Sequence, residues 1–358
     1  MISFDLKIYY KMCDHSVKII LGKENRTLVN KIKKIGLNND GIIFGGLVRD
    51  EIIATHYREE FIKKKLNFEN YWNKDYDPET NGRLIIPNDI DIYFQKNDNI
   101  KEFIDEIKAY IQLFNGVVSV DNMSNSRNIR NFNYNLRLQL NHTKLYIVIY
   151  IGRTICYSGI RIKIEIDILS SDKHIEPPFY NLDFLSNIFI MEKNNGIINI
   201  RASNCTGTPL DSMSIVNKSK KTSNILEDII NFRTQFIGNF THLLDTEYIN
   251  CYRIIKMIDR EFSWNITNVP FSPFTIDEDD EEYYKCCICL EDIDNNKSLI
   301  SINTNSKCKN ILHKKCFIAH LKTEQNKKYR NGNNFIEIRC PFRNPFNFKD
   351  CFQNVNYI

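Results

Sequence analysis

The sequence predicts an α+β fold: a mixed sheet with helices, a helical extension, and a small cysteine-rich module after it. Three observations predict this. Between residues 23 and 170 the hydrophobic pattern runs helix, strand, helix, strand, helix and then several strands. From 172 to 265 the texture changes and two helical stretches dominate. Seven of the eleven cysteines then fall between Cys286 and Cys351.

The elements follow in order. Residues 23–36 place Leu28, Ile32 and Ile35 at helical spacing, with Gly36 as the expected stop. "GIIFGG" reads as a short buried strand ending in two glycines, and "LVRDEIIATHYREEFIKKK" as a helix. Residues 66–86 read as an irregular insertion. "IIPNDIDIYF" is a strand and "NIKEFIDEIKAYIQLF" (99–114) an amphipathic helix. Further strands are expected at 134–140, 144–151 and 159–169. "KSKK" (218–221) reads as a solvated loop, followed by helical "NILEDIINFRTQFIGNF" and "EYINCYRIIKMIDREF". The block "DEDDEE" (277–282) reads as an exposed linker. The expected domains are 1–171, 172–270, an acidic linker at 271–285, and a cysteine-rich module at 286–358.

Bulk composition sets limits. Hydrophobic content is 42% and charged content 26%, both ordinary for a globular chain. A net charge of +4 over 358 residues does not by itself argue for nucleic-acid binding. The first twenty residues carry Asp5, Lys7, Lys11 and Asp14, which interrupt any signal-peptide core. The longest apolar run, "LYIVIYIG" (145–152), is too short to span a bilayer. An intracellular, cytoplasmic protein without membrane contact is expected. Cysteines clustered around a histidine in such a chain point to metal rather than disulfides.

The first candidate site begins at "NDIDIYF". Asp89 and Asp91 point to one face of an apolar strand, where they repel each other. Carboxylates held close on a rigid element are what divalent cations require in phosphoryl and nucleotidyl transfer. In "IRIKIEIDILSS" (160–171), Arg161, Lys163, Glu165 and Asp167 alternate with isoleucines. Either Glu165 or Asp167 could supply a third carboxylate; Asp167, nearer the strand end, is preferred. Upstream, "FGGLVRDEI" sets Gly45 and Gly46 between a strand and a helix, where a backbone can approach phosphate closely.

"GGLVRD" followed by "DIDIYF" resembles the nucleotidyltransferase superfamily, in the branch of bacterial poly(A) polymerases and tRNA nucleotidyltransferases. "DFLSNIF" (183–189), "GIINI" (196–200) and "YRIIKMIDREF" (252–262) resemble later segments of that family in the same order. The resemblance covers roughly residues 23–265. It implies Asp89, Asp91 and Asp167 as catalytic Mg²⁺ ligands, and Gly45, Gly46, Arg49, Asp50 and Arg253 around a nucleoside triphosphate, with RNA as acceptor. Asn181-Leu182 stand where the family has Arg-Arg, and Lys256 replaces its second helical arginine.

The second candidate site is the cysteine-rich module. "CCICLEDI" (286–293), "CKNILHKKCFIAHL" (308–321) and "CPF" (340–342) resemble a RING domain. The resemblance implies one complete zinc site from Cys286, Cys289, His313 and Cys316. The second would hold Cys308 and Cys340, but Asn310 and Arg343 replace its other two ligands. One zinc is expected there, with the second site absent or completed by Cys351 or His320. The family also implies a ubiquitin-conjugating enzyme as partner. An alternative function is therefore a RING-type ubiquitin ligase, or an interaction protein, with an inactive nucleotidyltransferase-like fold.

Overall fold

The structure, a computed structural model, describes residues 27–63, 89–131, 136–151, 160–171, 176–177, 182–204, 215–237, 251, 253–258, 264–269, 271–274, 285–293, 299–303, 309–331 and 341. The expected insertion at 66–86 and the acidic block at 277–282 lie outside these residues. The fold is mixed α/β. The chain divides into two compact units: residues 1–180 with 187–222, and residues 181–186 with 223–358. No described helix is long and apolar enough to cross a membrane.

Unit 1 is built on a seven-stranded mixed sheet with the order β3-β4-β5-β2-β1-β6-β7. Its strands are β1 (Ile42–Phe44), β2 (Asp89–Phe94), β3 (Val117–Asn131), β4 (Leu136–Ile151), β5 (Ile160–Ser171), β6 (Phe189–Asn194) and β7 (Ile197–Ala202). Only the β2–β5 pairing is parallel; the others are antiparallel. The helices are α1 (residues 27–38), α2 (Gly46–Lys63) and α3 (Asn97–Gln112).

Strand alternation gives the sheet two distinct faces. Ile90, Ile92 and Phe94 of β2 and Ile164, Ile166 and Ile168 of β5 are buried on one of them. The amphipathic α3 buries Phe103, Ile107 and Ile111, one residue per turn. The Phe103 ring meets Phe94 at 5.2 Å between centroids. Helix α1 presses on the same strand, so a Cβ at Gly36 would lie 2.4 Å from Ile92 Cδ1. Gly36 is thus a close-contact residue inside the helix, which continues to residue 38, and not its stop. The opposite face carries a smaller apolar cluster of Phe44, Tyr93, Leu169 and Ile190.

Two strand expectations need correction. The strands expected at 134–140 and 144–151 are not separate over the described residues: β4 runs unbroken from Leu136 to Ile151 and pairs with β5 from Leu140 onward. Strand β3, at the sheet edge, is an addition. Its sequence, "VVSVDNMSNSRNIRN", is too polar to show a buried alternating face, and its partner selects it through backbone hydrogen bonds to β4.

In unit 2, α4 (Ile215–Ile230, its residues from 223 onward in this unit) buries Ile225 and Ile229. The "KSKK" segment is helical within α4, not a loop. The helical expectation for 224–240 holds only to Ile230: Arg233–Gln235 forms strand β8, paired in parallel with β9 (Asn265–Thr267). Trp264 is buried against Phe232, with centroids 5.8 Å apart. Phe184 and Phe236 stack edge-on at 5.5 Å. Helix α5 covers residues 253–258. Strands β10 (Phe271–Phe274), β11 (Leu299–Asn303) and β12 (Lys309–His313) form one antiparallel sheet, followed by α6 (Lys314–Asn331). Strand β10 arises from residues the sequence places in a linker.

Candidate functional site

Unit 1 gathers charged residues at the start of β2. The parallel register sets Asp89 beside Glu165 and Asp91 beside Asp167. Adjacent strands lie about 4.8 Å apart and paired residues share a face, so the four carboxylates form a two-by-two array. On the other side of β2, Phe44 is the register partner of Asp91. The chain then turns at Gly45, whose φ is +76°. A Cβ on Gly45 would lie 2.9 Å from Asp91 Oδ2. Glycine therefore meets two requirements here, a left-handed backbone and room beside a carboxylate. Gly46 follows as the first residue of α2.

Strand β4 brings partners that the sequence did not single out. His142 Nε2 lies 2.6 Å from Asp167 Oδ1, and Lys144 Nζ lies 3.7 Å from the same oxygen. Lys144 Nζ is also 3.3 Å from Glu165 Oε2, while Lys163 bonds Glu165 Oε1. The hydrogen bond from Lys163 holds the Glu165 carboxyl below its ordinary range; burial opposes this and Lys144 adds to it. Burial works against the charged form of Lys144, but Asp167 and Glu165 outweigh it and raise its pKa. His142 is 25 residues from Asp167 in sequence, and only the strand pairing brings the two together.

Arg49 is buried, 1% exposed, and donates from Nε and Nη2 to Asp50 Oδ1 at 2.8 and 2.7 Å. Its Nη1 donates to Asn187 Oδ1 at 3.0 Å. Arg49 and Asp50 thus fasten the start of α2 to the segment before β6. Arg253, in unit 2, pairs with Asp183 of that unit. Burial pushes the Asp183 carboxyl up, against the pull of the Arg253 guanidinium.

The second candidate site lies in unit 2. Cys286, Cys289, His313 and Cys316 present ligand atoms that all lie within 4.8 Å of one another. Leu290 N–H donates to the Cys286 carbonyl at 2.8 Å, closing the Cys-X-X-Cys turn, and Cys286 N–H donates to the Glu291 carbonyl at 3.0 Å. His313 ends β12 and Cys316 lies in the first turn of α6. His313 Nδ1 is 3.4 Å from Cys289 Sγ and 3.9 Å from Cys316 Sγ. A tetrahedral zinc site with bonds of about 2.3 Å to sulfur and about 2.0 Å to nitrogen has edges of roughly 3.5–3.8 Å. The donor types and spacings therefore fit such an ion. His313 is buried, and its Nε2 has no hydrogen-bond partner among the described residues, so Nδ1 is the nitrogen aimed into the group.

The thiols differ. Burial opposes ionisation of Cys286, but backbone N–H groups of Cys289, His313 and Ile288 outweigh it and lower its pKa. Burial, then Cys289 and Cys286, push Cys316 up to about 12. A cation among them would stabilise the thiolates together. Cys308, Cys340, Arg343 and Cys351 lie outside the described residues.

Among the described residues, Asp89, Asp91 and Asp167 do not converge as closely as the Cys/His group. Facing carboxylates repel, and Asp167 is drawn towards His142 and Lys144. Their oxygen donors nonetheless suit a hard cation, and the space that a Cβ at Gly45 would fill lies against Asp91. Compared with protein-family models, curated proteins and solved structures, the chain matches none.

Proposed function

We propose that the chain is a metal-dependent, template-independent nucleotidyltransferase that extends RNA 3′ ends and carries a zinc-stabilised RING-like module. The observation that carries this reading is the β2–β5 register, with Asp91 beside Asp167 and Asp89 beside Glu165 on one face, under the Gly45 turn. Asp89, Asp91 and Asp167 would hold Mg²⁺, and Gly45 and Gly46 would cradle the triphosphate. Bound Mg²⁺ neutralises phosphate charge and favours ionisation of the attacking hydroxyl. The RNA 3′-oxygen bonds to the α-phosphorus, the bond from that phosphorus to its bridging oxygen breaks, and pyrophosphate leaves. Arg49 and Asp50 contribute by fixing the first turn of α2 rather than by touching substrate, since the guanidinium is buried. Label transfer from α-labelled ATP to oligo-RNA tests the reading. Incorporation abolished by Asp89→Ala and Asp91→Ala is expected; no incorporation with either Mg²⁺ or Mn²⁺ overturns it.

A second reading is favoured by the complete Cys3His group and by Leu290 beside it, 71% exposed at φ +62°. In this reading the module holds one Zn²⁺ and presents the Cys286–Cys289 turn, with Ile288, to a ubiquitin-conjugating enzyme. Ubiquitin-chain formation with a panel of conjugating enzymes tests it. Chains lost on Cys289→Ala are expected, and no chains with any enzyme of the panel rejects it.

A further inference from the structure

The β4–β5 pairing treats the two neighbouring carboxylates of β5 differently. Glu165 has both oxygens engaged, Oε1 by Lys163 and Oε2 by Lys144. Asp167 receives His142 and Lys144 on the same oxygen, Oδ1. Among the described residues Oδ2 takes part in neither. His142 is the register partner of Leu169, not of Asp167, so it reaches its carboxylate diagonally across the strand pair. At 2.6 Å the imidazole must donate, because an ionised carboxylate only accepts. The pair is half-buried, with side chains 16% and 24% exposed. Asp91 stands on the other side of Asp167, in register on β2.

Resting on the nucleotidyltransferase reading, we propose that His142 is a positioning residue for Asp167. Its Nε2–H holds Oδ1 on the β4 side and leaves Oδ2 as the oxygen offered to a divalent cation shared with Asp91. Outer partners of this kind fix which oxygen a ligating carboxylate presents, and their loss weakens metal affinity about 10–100-fold. The same contacts explain why Asp167, and not Glu165, is the cation ligand. Glu165 could bind a cation only by giving up a lysine.

The test is Mn²⁺ binding to the full-length chain, zinc-loaded, followed by the electron paramagnetic resonance signal of free Mn²⁺. Asp167→Asn is expected to weaken binding most. His142→Ala is expected to raise the apparent dissociation constant about 10-fold. His142→Gln, whose side-chain amide can still donate, is expected to recover most of that loss. Thermal melting of each variant separates a lost cation partner from a lost fold. If His142→Ala unfolds, His142→Leu, which has comparable bulk and no donor, replaces it with the same expectation. Folded His142 variants that bind Mn²⁺ like the parent, while Asp167→Asn does not, overturn this inference and leave the nucleotidyltransferase reading standing. Parent protein whose Mn²⁺ binding is insensitive to both Asp91→Asn and Asp167→Asn overturns both.

Discussion

At Gly45 the backbone holds φ at +76°, and an added Cβ would lie 2.9 Å from Asp91 Oδ2. Gly45→Ala meets both obstacles. A non-glycine residue in the left-handed region costs about 1–3 kcal/mol, and the carboxylate would have to move as well. A lower urea midpoint is expected, and on the nucleotidyltransferase proposal lost nucleotide incorporation with it; an unchanged midpoint would show that the turn relaxes freely. The β5 carboxylates allow a sharper comparison. Asp167→Asn removes the residue paired with Asp91, whereas Glu165→Gln alters one already neutralised by two lysines. On the nucleotidyltransferase proposal, the Asp167 variant should therefore lose more incorporation activity than the Glu165 variant. Equal losses would make the two carboxylates equivalent ligands. The sequence left these two open because both alternate onto the same strand face.

Helix α3 seals one face of the sheet with Phe103, which is fully buried against Phe94. Phe103→Ala should cost about 3–5 kcal/mol, read as a lower urea midpoint at an unchanged slope. This helix was legible in sequence because its apolar residues recur at the helical period. Strand β3 was not, because an edge strand can be polar on both faces and still pair through its backbone. The β6–β7 hairpin gives a pH dependence. The Arg201 hydrogen bond outweighs burial and lowers the Glu192 pKa from its ordinary 4.5. A carboxyl whose folded pKa is depressed binds fewer protons when folded than when unfolded. Its contribution is present above pH of about 4.5 and is lost as pH falls through the folded value. The melting temperature should drop as pH is lowered below 4.5, and Glu192→Gln should flatten that drop; equal slopes in both proteins would discount the pair.

Across the whole molecule, zinc at the Cys3His group should act on the stability of unit 2. The Cys3His group ties the turn at Cys286–Cys289 to the end of β12 and the start of α6. A structural zinc site supplies folding energy directly. Chelation, or Cys316→Ala, should unfold the β11–β12–α6 region, measured by hydrogen exchange, with the β2–β5 region in unit 1 still protected. Metal analysis should return about one zinc per chain, following from the four ligands brought together here; a value near two would require a second complete site.

Read along the chain, the residues were enough to mark helices α1 to α3, strands β1, β2 and β5, the Cys3His group and the carboxylates of β2 and β5. Local periodicity and short spacings are readable along a chain because they reflect one element at a time. The folded chain alone reveals that Asp91 lies beside Asp167, that His142 grips one oxygen of it, and that Arg49 is a buried brace. These relations depend on strand register and on contacts between residues far apart in sequence. A one-residue slip in the pairing would redirect them while leaving each element's local pattern unchanged.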